Sequence, residues 1–318
     1  MNHAKKRRLP KAGLLIPAWF ALTIALAVAC GSSATATLDT PPTSAPADPT
    51  AITPILATTV LEVGEQRLAF LLTTSKGLIK TPTAMVTPVY LDGDGTPGIS
   101  KEAAFNLWPY GIRGSYSAYA NFDRPGRWRV DVQVDNPDGV DEVQFEIEVL
   151  EESPVPAVGT TAPSSLSKVL ADYSSIEEIT TDYSPDPDLY QLTIKDAVEN
   201  PLPSVVVFAS PAFCTSPTCG PQVDAVSELK ELHPGQANYI HVEIYDNPVA
   251  IQGDLGRAEI FSVVDDWGLT SIHDYFNESW TFILDADGQI YDRFEGFATV
   301  NELEEGLKKV LPRAVTDY

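Results

Sequence analysis

The sequence predicts two folded domains in series: an all-β sandwich, then an α/β domain with a mixed sheet and flanking helices. Three observations predict it. From about Ile55 to Leu150 apolar residues recur at every second position, the period of half-buried antiparallel strands. Beyond Ser164, apolar runs alternate with helical patterns, the mark of an α/β arrangement. Between the two, residues 151–163 carry Pro154, Pro156 and Pro163 with no apolar periodicity and read as an interdomain linker.

In the first domain the clearest strands are Trp128, Val130, Val132 and Val134, alternating with Arg127, Arg129, Asp131 and Gln133, and Val143, Phe145, Ile147 and Val149, alternating with Gln144, Glu146 and Glu148. Weaker runs at Leu56–Leu61, Gln66–Thr73, Ala84–Tyr90, Ala103–Trp108 and Tyr116–Phe122 bring the count to about seven. Turn signals at Asp92-Gly93, Pro125-Gly126 and Asn136-Pro137-Asp138-Gly139 separate them. That spacing predicts an immunoglobulin-like β-sandwich over residues 54–150. The segment Asn121–Trp128 resembles small exported β-sandwich modules found beside redox or copper proteins. Asp92-Gly93-Asp94-Gly95 reads as a turn and not a calcium loop, because Pro97 stands where such a loop needs Gly.

In the second domain Val205–Ala209 is a continuous apolar run, as expected of a strand covered on both faces. Pro221–Leu232 reads as a helix with Val223, Val226 and Leu229 inward, Tyr239–Tyr245 as a strand, and Asp254–Trp267 as a helix. Trp280–Leu284 and Gln289–Phe294 flank Asp285-Ala286-Asp287-Gly288 as a hairpin. Val300, Leu303, Leu307 and Val310 line one face of a last helix, with Glu304/Lys308 and Glu305/Lys309 outside at i,i+4 spacing.

The formal charge of −23 sets nucleic acid aside as a partner. Lys5, Lys6, Arg7, Arg8 and Lys11 all precede position 12, so beyond them 16 Lys and Arg stand against 44 Asp and Glu, a net of −28. Those five cations, the apolar stretch Ala12–Ala29 and the small residues Ala27-Val28-Ala29 read as an export signal over 1–29. With Cys30-Gly31-Ser32-Ser33 the segment resembles the bacterial lipobox, in which the cysteine is acylated; an uncleaved transmembrane helix is the alternative. Of the 20 residues Gly31–Thr50, 16 are Ser, Thr, Ala or Pro, so 30–53 reads as a disordered tether. The expectation is a body held at the outer face of the cytoplasmic membrane through lipidated Cys30.

Lipidation of Cys30 would leave one close pair, Cys214 and Cys219, in a compartment where disulfides persist. The order strand, cysteine motif, helix, strand, helix, hairpin, helix, together with Val205–Cys219 and with Trp280–Leu284 before Asp287-Gly288, resembles the thioredoxin-like fold over 164–316. The resemblance implies a thiol/disulfide oxidoreductase with Cys214 and Cys219 as its catalytic pair, no cofactor or metal, and protein thiol clients and an electron partner as its partners. A helix N-terminus favours the thiolate that such chemistry needs, and Thr215, Ser216 and Thr218 offer hydroxyls to the sulfur. Two features depart from the family pattern. The pair is Cys-x4-Cys with Gly220-Pro221 after it, and Ser279-Trp280 stands where the family has its cis-proline. Which cysteine is the nucleophile stays open.

Three other readings remain, and whether the chain is an enzyme stays open with them. In a non-catalytic interaction module a fixed disulfide would staple the loop, worth only about 2 kcal/mol for so small a ring. Pro211, Thr215 and Cys219 nearly match the peroxiredoxin pattern, with the cysteine one residue late. Copper delivery would use both thiolates and a histidine: His273 in a loop fits best, whereas His241 and His233 have structural readings. Trp267, Phe276 and Trp280 read as core or rim, and no phosphate loop, Ser/His/Asp order or dinucleotide fingerprint is present.

Overall fold

The computed structural model describes residues 51–109, 111–136, 139–214, 216–272 and 279–312. The export signal 1–29, Cys30 and the tether up to Thr50 lie outside the described residues, as do Pro137, Asp138, Thr215, His273, Phe276 and 313–316. The described residues lie within one compact unit.

The first strands are β1 (Thr53–Leu56), β2 (Gly64–Thr74), β3 (Gly77–Leu78), β4 (Thr83–Tyr90), β5 (Lys101–Leu107), β6 (Gly114–Phe122), β7 (Gly126–Asn136) and β8 (Gly139–Val149). They form one antiparallel sheet in the order β1-β2-β6-β5-β4-β7-β8, with β3 a short partner of β2. The sheet curls nearly closed. Glu62 and Leu150 meet in a parallel bridge, where the Leu150 carbonyl accepts from the Val63 N–H (3.1 Å) and the Leu150 N–H donates to the Leu61 carbonyl (2.9 Å). The inward side chains of the alternating pattern, among them Leu68, Phe70, Val86, Tyr116, Phe122 and Trp128, fill the interior.

The second half begins with helix α1 (Ile194–Val198) and continues through β9 (Ser204–Ala209), α2 (Cys219–Leu232), β10 (Asn238–Glu243), α3 (Pro248–Ile251), α4 (Ser262–Asp266), β11 (Trp280–Leu284), β12 (Ile290–Glu295) and α5 (Val300–Val310). Its sheet runs β10-β9-β11-β12, with β10 parallel to β9 and the other pairs antiparallel. β9 and β11 are buried along their whole length, which is why they read as unbroken apolar runs. One face packs against α2 and α5 through Val205, Val207, Ile283 and Phe294; the other buries Val206, Phe208 and Phe282 against Val263, Val264 and Trp267.

This architecture corrects the fold class read from the sequence. The chain is mostly β and is not an α/β thioredoxin fold behind an immunoglobulin-like sandwich. The strands of 53–149 share one nearly closed sheet instead of two facing sheets. A two-residue period says which face of a strand is buried, and that is the same for a curled sheet as for a sandwich. In the second half only α2, with 14 residues, and α5, with 11, exceed two turns among the described residues. The expected helix Asp254–Trp267 breaks up. Asp254 caps a single turn at Leu255–Arg257, Ile260 bridges to Tyr245 as extended chain, and α4 keeps only five residues.

Two buried arginines tie the sheets together. On β2, Arg67 meets Glu302 of α5 at 2.8 Å and donates to the Phe297 carbonyl at 3.2 Å. On β12, Arg293 meets Glu62 at 3.0 Å, donates to Gln66 Oε1 at 2.9 Å, and reaches the Val155 and Pro156 carbonyls. Tyr119 of β6 donates to Asp292 at 2.6 Å. The proline-bearing stretch 151–163 lies against this junction, with Val155 and Ala162 buried.

Candidate functional site

β9 ends at Ala209 and α2 starts at Cys219, so the connecting loop carries the two cysteines out of the sheet and into a helix. They form a disulfide with Cα atoms 5.9 Å apart. Cys219 is the first residue of α2 and is fully buried, whereas Cys214, in the loop, is only half-buried. The two sulfurs are therefore inequivalent. The inner one faces the partial positive charge of a helix N-terminus, with no acidic residue in the first turn to offset it. The outer one belongs to a half-buried residue at the edge of the core.

Hydroxyls line the outer sulfur. Ser216 Oγ lies 3.9 Å from Cys214 Sγ, and since a disulfide sulfur carries no proton, the hydroxyl donates. Ser216 in turn accepts from Thr218 at 2.6 Å. Thr218 is the N-cap of α2 in position, but its side chain makes no cap bond and serves this relay instead. Thr215, the third hydroxyl expected here from the sequence, lies outside the described residues.

A buried carboxylate anchors the start of the loop. Glu243 at the end of β10 accepts from the Thr181 N–H (2.8 Å) and hydroxyl (2.7 Å), and Thr181 Oγ1 accepts from the Ala212 N–H (3.3 Å). Burial pushes the Glu243 carboxyl above its usual range, and hydrogen bonds from Ser210 and Thr181 draw it partly back. Nothing in the sequence pattern singles out Glu243, which stands at the end of a strand that also carries Asn238 and His241. At the start of α2, Gln222 donates to Thr281 Oγ1 (3.1 Å) and accepts from the Ala298 N–H (2.8 Å), which fixes the helix end that holds Cys219.

Of the copper candidates, His273 lies outside the described residues, and His241 and His233 have other partners. The His241 Nε2–H donates to the Ala209 carbonyl at 3.1 Å, which leaves Nδ1 to accept from the Tyr190 hydroxyl at 2.6 Å. Burial pushes its pKa down to about 4. His233, at the far end of α2, meets Glu304 of α5 at 2.9 Å. Among the described residues no group of three or more His, Cys, Asp or Glu is placed to hold a metal ion. The peroxidase pattern needs Thr215, outside the described residues, beside a Cys219 that is fully buried.

No protein-family model matches this chain, and no curated protein matches it. Among solved structures, an engineered protein determined by a structural genomics consortium is similar over 32% of this chain at 14% identity, with a TM-score of 0.22. The match covers 21% of that protein, so the chain spans about a fifth of its length. The PKD domain of the human VPS10 domain-containing receptor SorCS2 is similar over 39% of this chain and 95% of the domain, at 16% identity and a TM-score of 0.19. Likenesses this slight place the chain in no family.

Proposed function

We propose that the protein exchanges disulfides with protein thiols through Cys214 and Cys219. The observation that carries the reading is the inequivalence of the two sulfurs: one half-exposed in a loop, the other buried at the first turn of a helix. A client thiolate attacks Sγ of Cys214, the less buried of the two cysteines. The Cys214–Cys219 bond breaks and Cys219 leaves as a thiolate, its charge held by the helix N-terminus. A second client thiolate then attacks the client sulfur of the mixed disulfide, and Cys214 leaves. The client is oxidised by two electrons to a disulfide and the protein is left as a dithiol; the reverse sequence reduces a client disulfide. When Cys214 is the thiolate, the Thr218–Ser216 relay points a proton at it.

Trapping tests the roles. Cys219→Ser should accumulate a mixed disulfide at Cys214 with a client that carries a disulfide: Cys214 attacks that bond, one client thiolate leaves, and no Cys219 remains to resolve the product. Cys214→Ser should leave Cys219 unmodified in the folded protein. Equal labelling of both single variants would sink the assignment.

The leader and lipobox-like segment support a site of action outside the cytoplasm, at a membrane surface. No helix among the described residues is long and apolar enough to cross a membrane. Loss of lipid labelling in Cys30→Ser is the expected result; unchanged labelling and processing would refute the anchor.

A further inference from the structure

A groove of about 590 Å³ opens beside the disulfide loop, between the first sheet and the β12–α5 connection. That volume suits a short peptide segment. Ser216, next to Cys214, lines it with Pro217 and Thr218, and so do Leu71, Ile112 and Phe297. Two of its apolar lining residues are exposed, Ile112 at 74% and Ile55 at 48%. Trp108 packs edge-on against Phe297, its ring centroid 6.0 Å away, and closes the floor.

The charge on this groove runs against that of the chain, which is −23 overall. Arg113 lines the turn between β5 and β6, and Lys80 reaches the same turn by donating to the Gly111 carbonyl at 3.1 Å. Among the described residues neither forms an ion pair. Glu295, the groove's one acidic lining residue, is already engaged by the Thr59 N–H (2.7 Å) and hydroxyl and by the Val60 N–H (3.1 Å). The groove therefore offers apolar lining, a cation in Arg113 and, through Ser216, adjacency to Cys214.

We infer that this groove docks an extended, cysteine-bearing client segment with apolar residues beside the cysteine and a carboxylate beyond them. The inference rests on the thiol-exchange reading for the cysteine, and on charge complementarity and apolar lining for the rest. Opposite charge at Arg113 orients the segment, while burial of its apolar side chains supplies most of the affinity.

The test uses a labelled synthetic peptide with serine in place of the cysteine, leucines beside it and aspartate at the far end, plus a companion with lysine for aspartate. Fluorescence anisotropy should show Ile112→Glu weakening the aspartate peptide by about tenfold or more, the scale of a lost apolar anchor. Arg113→Glu should reverse the preference between the two peptides. Val140→Glu, on an exposed site of β8, should change neither. Denaturation midpoints check that each variant folds, and Arg113, being exposed, keeps the test open should Ile112→Glu fail to fold. Equal binding of both peptides by the unmutated protein, or no change in either groove variant, overturns the groove. Peptide binding by a protein whose disulfide never exchanges with glutathione would instead overturn the exchange reading and remove the cysteine from the proposal.

Discussion

His241 shows how one buried side chain couples stability to pH. Its neutral form is fixed from both sides, by the carbonyl of Ala209 and the hydroxyl of Tyr190. Burial moves its pKa from 6.5 to about 4. Between those two values the unfolded chain binds the proton and the folded one does not, so stability falls as pH drops from 6.5 to about 4 and levels off below. The full effect is on the order of 3 kcal/mol. The carboxyls of Glu243 and Asp292, pushed up by burial, work in the opposite direction as they take up protons. An NMR titration should find the His241 imidazole unprotonated from pH 8 down to pH 5; a midpoint near 6.5 would contradict the placement. Tyr190→Phe should cost about 1–2 kcal/mol in urea unfolding by leaving Nδ1 without its donor. At this scale much was legible. The paired cysteines between an apolar strand and a helix, and a structural His241, follow from position alone. The inequivalence of the sulfurs was not, because it depends on α2 starting at Cys219 instead of Pro221. The N-cap residue Thr218 gives no cap bond that would mark the start.

Among elements, the strands were legible and their closure was not. β4, β6, β7 and β8 lie where alternation places them, and β9, β11 and α5 match their apolar runs and faces. The curled sheet depends on long-range pairing, as at Glu62 and Leu150, for which a local pattern carries no signal. Arg67 and Arg293 were silent for a related reason: an arginine on a strand reads as solvent-facing until its partner, some 230 residues away, covers it. Arg293→Met should cost about 3–5 kcal/mol in equilibrium denaturation, because Glu62 is left buried without its counter-charge. Adding Glu62→Gln should recover part of that loss. A single-variant cost below about 1 kcal/mol would mean the ion pair contributes no more than a surface one. Gly268 bears on the stretch 151–163. Its φ is +68°, and a Cβ there would sit 1.8 Å from the Pro154 carbonyl oxygen. Gly268→Ala should lower stability by about 2 kcal/mol or more, read from the shift in denaturation midpoint. A neutral result would place Pro154 away from Gly268.

For the molecule as a whole, the first sheet and the disulfide-bearing half share one junction, and the groove beside Cys214 draws its walls from both. An acidic chain that keeps Arg113 in that groove, with Lys80 on the same turn, also holds a disulfide with one cysteine half-buried in a loop and the other buried at a helix start. The redox poise of the Cys214–Cys219 pair tests it most directly. The protein is equilibrated with a graded series of reduced and oxidised glutathione, and its free thiols are counted by mass-shift alkylation. The account predicts that the pair passes from oxidised to reduced within the glutathione range, above about −300 mV, with at least one thiol titrating below the free value of about 8.5. A bond that stays oxidised throughout the series, with Cys214→Ser and Cys219→Ser losing stability alone, would contradict it and leave the disulfide as a staple of the loop.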